Sequence, residues 1–317
     1  MGEIGRTGVR APKIGFGTSG LGSMPDTYGY AVSEERARDT VRAVLALPDG
    51  MIDSSRNYGS GRSEERVGQV VRELGGWPAG RVLSTKLDRD METGRFDAAQ
   101  ARRSFEQSLA AMAVDRVDIL HLHDPEHTSD PQQVARKGGA LEALFRIKEE
   151  GLASAVGLAA GVVDVMMPLL RDWDFDVLIT HNRFTPVNRN AGPMLDLARE
   201  RGIAVMNAAP YAGGALAKGA ANARYVYMEL TDATKAPIVR IEEICARYGV
   251  PPGAVALQFS LRDPRITTTI CGVTRPERVQ ETLDWAALPV PEALWEELAE
   301  LPFATDDPEA ARDYKPG

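Results

Sequence analysis

Eight short apolar segments recur along the 317 residues of this chain, and amphipathic segments separate them. A parallel strand buried on both faces reads as a continuous apolar run, whereas a surface helix repeats its apolar residues every three or four positions. Alternation of the two patterns is typical of an α/β fold. The runs that predict strands cover residues 13–17, 50–53, 82–86, 117–123, 153–158, 175–180, 203–208 and 267–272.

The segments between the apolar runs carry the spacing and the start signals of helices. Apolar residues within 37–45 fall on one helix face, and Ser33 precedes them as a candidate N-cap. Asp97 and Gln100 resemble a capping box at the start of a later helix. We therefore expect helices to cover the outside of a parallel sheet.

The fold class predicted from this alternation is α/β, as one (β/α)8 TIM barrel. No linker-like or low-complexity segment interrupts the chain, so residues 1–317 are expected to form a single domain. A doubly wound sheet is the alternative, but the glycines of "GFGTSGLG" (15–22) lead into a loop-like segment instead of opening a helix. The polar C-terminal tail, 306–317, is expected to be loosely ordered or to lie over the barrel mouth.

Charge and composition restrict the partners of the chain. The formal net charge is −8, which disfavours a broad surface for nucleic acid or anionic lipid. The N-terminal residues lack the apolar core of a signal peptide, and no later segment approaches a membrane span. The only cysteines, Cys245 and Cys271, suit a reducing compartment. We expect a cytoplasmic protein with a small-molecule partner, and the oligomeric state stays open.

Four ionisable residues fall at or just beyond the ends of the second, third and fourth predicted strands: Asp53, Tyr58, Lys86 and His123. In a barrel of this kind, the C-terminal ends of the strands form the active-site face. Each residue alone also has a structural explanation, because an Asp at a strand end commonly caps a turn. Neighbouring strands bring their ends together, so we expect the four side chains to converge.

The chemistry favoured by these four side chains is proton transfer at a carbonyl or an alcohol. A tyrosine phenol has an ordinary pKa of about 10, and a neighbouring ammonium lowers that pKa. Lys86 is predicted to supply the charge, Asp53 to fix Lys86, and His123 to bind the oxygen of the substrate. Such a centre lacks only a hydride source, which a nicotinamide cofactor provides.

Four motifs resemble those of the aldo-keto reductases, a family of (β/α)8 oxidoreductases that use NADPH or NADH. They are "GRTGVRAPKIGFGTSGLG" (5–22), "IDSSRNYGSGRSEERVG" (52–68), "VLSTK" (82–86) and "VDRVDILHLHDP" (114–125). The resemblance extends in order from about residue 5 to residue 290. It implies that Asp53, Tyr58, Lys86 and His123 are the catalytic tetrad, with Tyr58 as the general acid in reduction and the general base in oxidation.

Two other functions are compatible with parts of the sequence. A metal hydrolase is one, because His121 and His123 have ligand-like spacing on one strand face. Such a site needs ligands from other strands, and the remaining histidines are only His127 and His181. We therefore expect no metal, and the strand-end position favours His123 over His121. The other is a regulatory subunit that binds the cofactor with little turnover. The presence of all four tetrad residues argues against this function.

The segments similar to the family's cofactor site depart from the family pattern. Alanines occupy 159–160 where Ser-Asn is usual, His181 replaces a common Gln, and Ala-Ala-Pro at 208–210 replaces Tyr-Ser-Pro. Side chains that hold the nicotinamide are therefore missing, and Asn182 or Tyr211 is expected to compensate. The resemblance implies cofactor contacts by Gly17, Thr18, His181, Asn182, Pro210, Tyr211, Gly213, Gly214, Lys218, Gly272, Arg275 and Arg278.

The resemblance slightly favours NADP(H) over NAD(H). "CGVTRPERVQET" (271–282) is similar to the family's adenosine-phosphate segment, although Gly272 and Val273 replace a common Lys-Ser. Arg278 falls on a family arginine that contacts the 2′-phosphate. An arginine at this position equally suits a solvated helix surface, so both cofactors stay open.

The substrate prediction depends on "HLHDPEH" (121–127) and "THNRFTPVNRNA" (180–191), which are similar to the aldose, L-galactose and L-fucose dehydrogenase branch of the family. Asp124 gives the rim an acceptor for hydroxyl groups, and Tyr28 is a second candidate substrate residue. Asp124 equally suits a turn cap before Pro125. We predict oxidation of a small aldose at C1 to its lactone, with reduction of a small aldehyde as the alternative.

Overall fold

The computed structural model describes residues 1–221 and 224–313. Its central feature is a closed barrel of eight parallel strands, in which each strand pairs with its neighbours in the chain and β8 closes onto β1. The strands are β1 Ile14–Gly17, β2 Met51–Asp53, β3 Val82–Leu87, β4 Val117–His123, β5 Ala153–Ala159, β6 Val177–His181, β7 Ala204–Ala208 and β8 Thr268–Gly272.

All eight predicted strands are confirmed, and so is the (β/α)8 barrel. Closure decides against the doubly wound sheet, because β8 pairs with β7 on one side and with β1 on the other. In the second of these pairings Cys271 lies opposite Phe16. The N-terminal residues form a small hairpin in which Gly2–Glu3 pairs with Arg10–Ala11.

Helices follow the strands and surround the barrel. They are α1 Glu34–Leu45, α2 Arg62–Glu73, α3 Ala98–Met112, α4 Ala140–Glu149, α5 Val163–Asp172, α6 Gly192–Arg201, α7 Asp232–Tyr248, α8 Pro252–Arg262, α9 Glu277–Ala287 and α10 Glu292–Ala299. Shorter helical turns include Ser19–Gly22, Pro25–Tyr28 and Pro125–His127. Among the described residues, no helix is long and apolar enough to cross a membrane.

Two predicted helix starts have the expected caps. The Ser33 side chain accepts a hydrogen bond from the Arg36 N–H, and the Asp97 side chain accepts one from the Gln100 N–H. A capping box would also need a hydrogen bond between the Gln100 side chain and the Asp97 N–H. That part of the prediction is wrong, because the Gln100 side chain donates to the Asp88 carbonyl at 3.2 Å instead. Gln100 therefore fixes the loop that follows β3.

Strand alternation separates the barrel interior from the layer beneath the helices. Met51, Val82, Ile119 and Met206 belong to one buried apolar cluster, which Ile4 of the N-terminal hairpin joins. Their neighbours along the strands pack with the helices in another cluster. Because side chains alternate along a strand, the inward positions continue two residues at a time toward the C-terminal ends. There the apolar interior gives way to polar residues, namely Asp53, Ser84, Lys86, His121 and His123.

Candidate active site

A buried ion pair lies at the ends of β2 and β3. The Lys86 ammonium donates to Asp53 Oδ2 at 2.7 Å and to the Ser54 carbonyl at 2.7 Å. The other Asp53 oxygen accepts a hydrogen bond from Ser84 Oγ at 2.8 Å. Both charged side chains are almost fully buried, 4% exposed for Asp53 and 2% for Lys86. Lys86 is therefore held in one position by two acceptors.

Tyr58 and His123 complete the cluster. The loop after β2 places the Tyr58 ring over Lys86, with the ammonium 4.8 Å from the ring centroid. The same ring meets the His123 ring edge-on, with 5.8 Å between centroids and 86° between planes. The structure thus brings together all four residues that the sequence singled out at the strand ends.

The protonation of Tyr58 differs from the expectation based on the sequence. Burial raises the pKa of the phenol well above its ordinary value, and the negative charge of Asp53 raises it further. The expected lowering of this pKa by Lys86 is wrong, because the charge of Lys86 is balanced by Asp53. Tyr58 in this site is therefore a neutral phenol that can donate a hydrogen bond or a proton.

His123 has a carboxylate partner that sequence reasoning missed. Asp88 Oδ1 lies 2.6 Å from His123 Nδ1, and Asp88 Oδ2 accepts hydrogen bonds from Ser55 Oγ at 2.8 Å and from the Asn57 N–H at 3.1 Å. The sequence could have indicated Asp88, because it follows Lys86 by two residues. Residues two positions apart on a strand face the same side, so Asp88 continues the inward-facing residues of β3. Asp88 is buried, as is His123.

The contacts between Asp88 and His123 favour the charged forms of both side chains. Burial lowers the pKa of His123, but the negative charges of Asp124 and Asp88 outweigh it and raise that pKa above its ordinary value. Burial raises the pKa of Asp88, but attraction to His123 and three hydrogen bonds outweigh it and lower that pKa. Each side chain therefore stabilises the charged form of the other.

His121 lies deeper in the barrel and has a different environment. Burial lowers its pKa to about 3, with a further contribution from the positive charge of Lys86. Its Nδ1 lies 3.4 Å from Ser84 Oγ, and its Nε2 has no hydrogen-bond partner among the described residues. His121 is therefore a neutral interior residue. Within 1–221 and 224–313, no group of three His, Cys, Asp or Glu side chains has the arrangement of a metal site.

The two candidate substrate residues lie around this cluster. Asp124 adopts a left-handed backbone with φ of 42°, and its side chain makes no capping hydrogen bond to the turn that follows. Its carboxylate lies 3.6 Å from His123 Nε2 instead, which disfavours the turn-cap explanation. The Tyr28 hydroxyl donates to Ser19 Oγ at 2.6 Å, and its ring packs edge-on against Tyr227.

Three of the candidate cofactor residues lie at the ends of β1 and β8. Gly17 is in register with Asp53 on one side and with Gly272 on the other. The Thr18 hydroxyl donates to the Asp53 carbonyl at 3.1 Å, which makes Thr18 a buried brace for the strand ends. A Cβ placed on Gly272 would meet no atom within 4 Å, so open space adjoins this strand end.

His181 and Asn182 lie at the end of β6, where the C-terminal segment reaches them. Glu309 Oε1 lies 3.1 Å from His181 Nε2 and accepts a hydrogen bond from Asn182 Nδ2 at 3.1 Å. Asn182 is fully buried, and its Oδ1 has no hydrogen-bond partner in the described part of the chain. This unused acceptor at the barrel mouth fits the amide group of a nicotinamide, so the residues present are compatible with the cofactor.

Sequence reasoning missed Arg183, which contacts the C-terminal tail; of that tail, predicted as 306–317, residues 314–317 lie outside the described residues. Arg183 is buried and pairs with Asp307 at 2.6 Å and with Glu309 at 2.9 Å. Asn188 also donates its side-chain amide to the Asp306 carbonyl at 3.0 Å. Much of the stretch 180–191, from which a substrate class was predicted, therefore holds the C-terminal segment. The sequence did contain an indication of this contact, namely several arginine and asparagine residues in a segment that is predicted neither as a helix nor as a strand.

The candidate residues after β7 divide into a tight turn and a core residue. Gly213 has φ of 71°, and a Cβ there would lie 2.8 Å from the Val226 nitrogen, so glycine is required. Gly214 follows with φ of 100°, next to the side chain of Lys218. Pro210 precedes this turn and is buried.

Tyr211 does not lie where the sequence placed it. Its hydroxyl is 3.8 Å from Cys271 Sγ and its ring packs edge-on against Trp285, so the side chain belongs to the apolar layer beneath α8 and α9. The expectation that Tyr211 replaces the missing nicotinamide contact does not fit this position. The physical reason is that the turn directs a large apolar ring into a space lined by Cys271 and Trp285.

Arg278 and Arg275 lie near the start of α9. Arg278 pairs with Glu281 at 2.8 Å, and its guanidinium lies 4.5 Å from the Trp285 ring centroid. Arg275 is 57% exposed at its side chain and lies 3.9 Å from the same Glu281. A phosphate that approached Arg278 would therefore compete with Glu281.

Comparison with known proteins relates this chain to one family of oxidoreductases, by sequence and by fold. The model of the Aldo/keto reductase family matches residues 13–302. The chain is 28% identical to a D-threo-aldose 1-dehydrogenase of Pseudomonas sp, over 92% of this chain and 94% of that protein. It is 29% identical to an L-galactose dehydrogenase of Arabidopsis thaliana, over 88% and 86% respectively. An aldo-keto reductase from Bacillus halodurans in its holo form shares the fold, with a TM-score of 0.77, 19% identity and 98% coverage of both chains.

Proposed function

Because this chain belongs to the aldo/keto reductase family and is an NAD(P)-dependent oxidoreductase, we propose that it oxidises a small aldose at C1 to the lactone. The observation that carries the proposal is the buried cluster of Asp53, Tyr58, Lys86 and His123, with the Asp124 carboxylate beside it. Reduction of a small aldehyde is the alternative reaction at the same cluster.

The four clustered residues have distinct roles in this proposal. Tyr58 and His123 face the oxygen that changes between alcohol and carbonyl. In reduction the neutral Tyr58 phenol donates its proton to the carbonyl oxygen; in oxidation the phenol must first release its own proton to solvent, and Tyr58 then takes up the proton of the hydroxyl group. Lys86 contributes positive charge beneath the Tyr58 ring, and Asp53 keeps Lys86 in place. The nicotinamide cofactor, when bound, accepts or supplies the hydride.

A few side chains and the turn after β7 would hold the cofactor. Asn182 offers its unused Oδ1 to the nicotinamide amide, in place of the side chains that are alanine in this chain. The glycine turn at 213–214 and the Lys218 side chain beside Gly214 would meet the phosphates. Arg278 supports a slight preference for NADP(H), which depends on its release from Glu281.

The proposed substrate class is a small polyol with a reducing end. Asp124 is a carboxylate acceptor at the cluster, and a carboxylate there suits hydroxyl groups better than an apolar ketone. Tyr28 adds a hydroxyl-bearing ring that packs against Tyr227 nearby. Two relatives are named for the oxidation of D-threo-aldoses and of L-galactose, which supports the same class.

The organisation and location of the protein are part of the proposal. We take residues 1–317 as one domain, since the barrel strands extend from Ile14 to Gly272 and the segment after α10 pairs with Arg183 at the end of β6. Both cysteines are free and buried, which supports a cytoplasmic location.

A substrate screen tests the proposal. Purified protein is given aldoses with NADP or NAD, and small aldehydes with NADPH or NADH, and the nicotinamide absorbance is followed. We expect aldose oxidation to be the faster reaction. Brisk aldehyde reduction with no aldose signal would establish the alternative reaction, and cofactor binding without turnover of either class would favour a regulatory role.

A further inference from the structure

Asp88 and His123 form a dyad whose geometry constrains the protons of the imidazole. Nδ1 lies 2.6 Å from Asp88 Oδ1, which is the short distance of a charge-assisted hydrogen bond. Asp88 is itself fixed by Ser55 and by the Asn57 N–H on its second oxygen. The Asp88 N–H donates to Ser104 Oγ at 2.9 Å, and Gln100 donates to the Asp88 carbonyl. The loop after β2 therefore holds the carboxylate of Asp88, and α3 holds its main chain.

This arrangement decides which nitrogen can serve the substrate. A carboxylate at Nδ1 keeps a proton on that nitrogen, so only Nε2 can face the reacting oxygen. A neutral imidazole with its proton on Nδ1 has no proton on Nε2 and cannot donate to a carbonyl oxygen. His123 can donate from Nε2 only when both nitrogens carry protons, that is, as an imidazolium.

We propose that Asp88 is a positioning residue that holds His123 as an imidazolium, with its Nε2–H directed at the oxygen of the substrate. His123 is then a cationic donor that stabilises negative charge on this oxygen, while Tyr58 exchanges the proton. The inference rests on the proposed function for the identity of the oxygen, but the protonation of His123 is a property of the chain alone.

The charged and titratable groups around His123 come from three strands and their loops. Asp88 follows β3 and Asp124 follows β4, and both carboxylates favour the cation. The positive charge of Lys86 on β3 disfavours the His123 cation, but the negative charge of Asp53 on β2 offsets that charge. The remaining neighbours are neutral near pH 7: His121, whose pKa burial lowers to about 3, and the phenol of Tyr58.

The proposal predicts a specific dependence on pH. The cation is present below the raised pKa of His123 and is lost as pH rises through it, so reduction of an aldehyde, in which His123 donates to the carbonyl oxygen, should slow on the alkaline side. In Asp88→Asn, the charge that favours the cation is removed, and this alkaline limb should move to lower pH. A merely structural role for Asp88 would change the height of the profile without moving the limb.

The decisive experiment combines kinetics with NMR of the histidine side chains. The chain has four histidines, so ¹⁵N-histidine labelling gives a resolvable set, and His123→Asn identifies the His123 signal. We expect both His123 nitrogens to be protonated at pH 7 in the wild type. In Asp88→Asn we expect His123 to titrate at lower pH, and kcat to fall by about 10²-fold or more while KM and cofactor Kd stay within about twofold.

Two further variants control for charge and packing. Asp90→Asn removes the same charge from the same loop, where Asp90 binds Thr93 rather than His123, and it should leave the His123 titration unchanged. Asp88→Glu keeps the negative charge and should restore the pH limb in part.

A His123 that carries one proton at pH 7, or that titrates identically in Asp88→Asn, would overturn the inference. These NMR measurements need neither substrate nor cofactor. A wild-type protein that turns over no aldose or aldehyde would therefore contradict the proposed function alone. The NMR titration would still determine whether Asp88 holds His123 as an imidazolium.

Discussion

The Lys86 ammonium lies 2.7 Å from Asp53 Oδ2 and 4.8 Å from the centre of the Tyr58 ring, and both charged side chains are buried. This contact makes the charge under the phenol part of a neutral pair rather than an isolated cation. Removal of either partner leaves an unpaired charge in the barrel, which is far more costly than removal of both. Stability and catalysis are therefore coupled at this position.

Lys86→Met should both destabilise the protein and abolish most turnover. The variant leaves the Asp53 carboxylate buried without its cation, and we expect a loss of about 3–5 kcal/mol in the free energy of unfolding. Urea denaturation measures this loss. The matched control is the double variant Asp53→Asn/Lys86→Met, which should recover most of the stability but none of the activity; a double variant as unstable as the single one would contradict the argument.

Tyr58→Phe should lower turnover by about 10²–10⁴-fold, the usual contribution of a general acid or base. The ring and its contacts with Lys86 and His123 stay, so cofactor affinity and thermal stability should change little. Steady-state kinetics and cofactor titration provide the two measurements. Near-normal turnover in the Phe variant would show that another group exchanges the proton.

Arg278→Ala should weaken NADPH binding much more than NADH binding. The guanidinium stacks on Trp285 and pairs with Glu281, and a 2′-phosphate is the added group that would take it from Glu281. Quenching of tryptophan fluorescence gives Kd for both cofactors. Glu281→Gln is the companion variant, and it should strengthen NADPH binding; equal losses for both cofactors in Arg278→Ala would exclude a contact with the 2′-phosphate.

Glu64 is a buried carboxyl group behind the barrel, and it should make stability depend on pH. Burial raises its pKa to about 7, although Thr85 donates a hydrogen bond to it at 2.7 Å. Between the ordinary pKa of about 4.3 and this raised value, the unfolded chain loses the proton first, so stability falls as pH rises through this window. The cost above pH 7 is about 4 kcal/mol, at about 1.4 kcal/mol per pKa unit.

Glu64→Gln tests this by removing the ionisation without changing the shape of the side chain. We expect a higher Tm than the wild type at pH 8 and little difference at pH 5, measured by calorimetry at both values. A Tm difference of the same size at both pH values would mean that ionisation of Glu64 has no part in it.

The sequence by itself determined the architecture and the four strand-end residues. Continuous apolar runs fix the strands, and period-two alternation within them fixes which residues face the barrel axis, so the chain's own pattern is enough to place Asp53, Lys86 and His123 at the strand ends. Both properties are local in the chain. Ser33 and Asp97 could be assigned as N-caps for the same reason.

Only the tertiary structure decided what surrounds those residues. The Asp88–His123 pair joins residues 35 positions apart, the contact of Glu309 with Asn182 joins residues 127 positions apart, and Tyr211 turns toward Cys271, 60 positions away. Such contacts depend on how loops cross the barrel mouth, which no local pattern encodes. The protonation of Tyr58 and His123 follows from these distant neighbours, because a pKa responds to burial and to every nearby charge, wherever in the chain it originates.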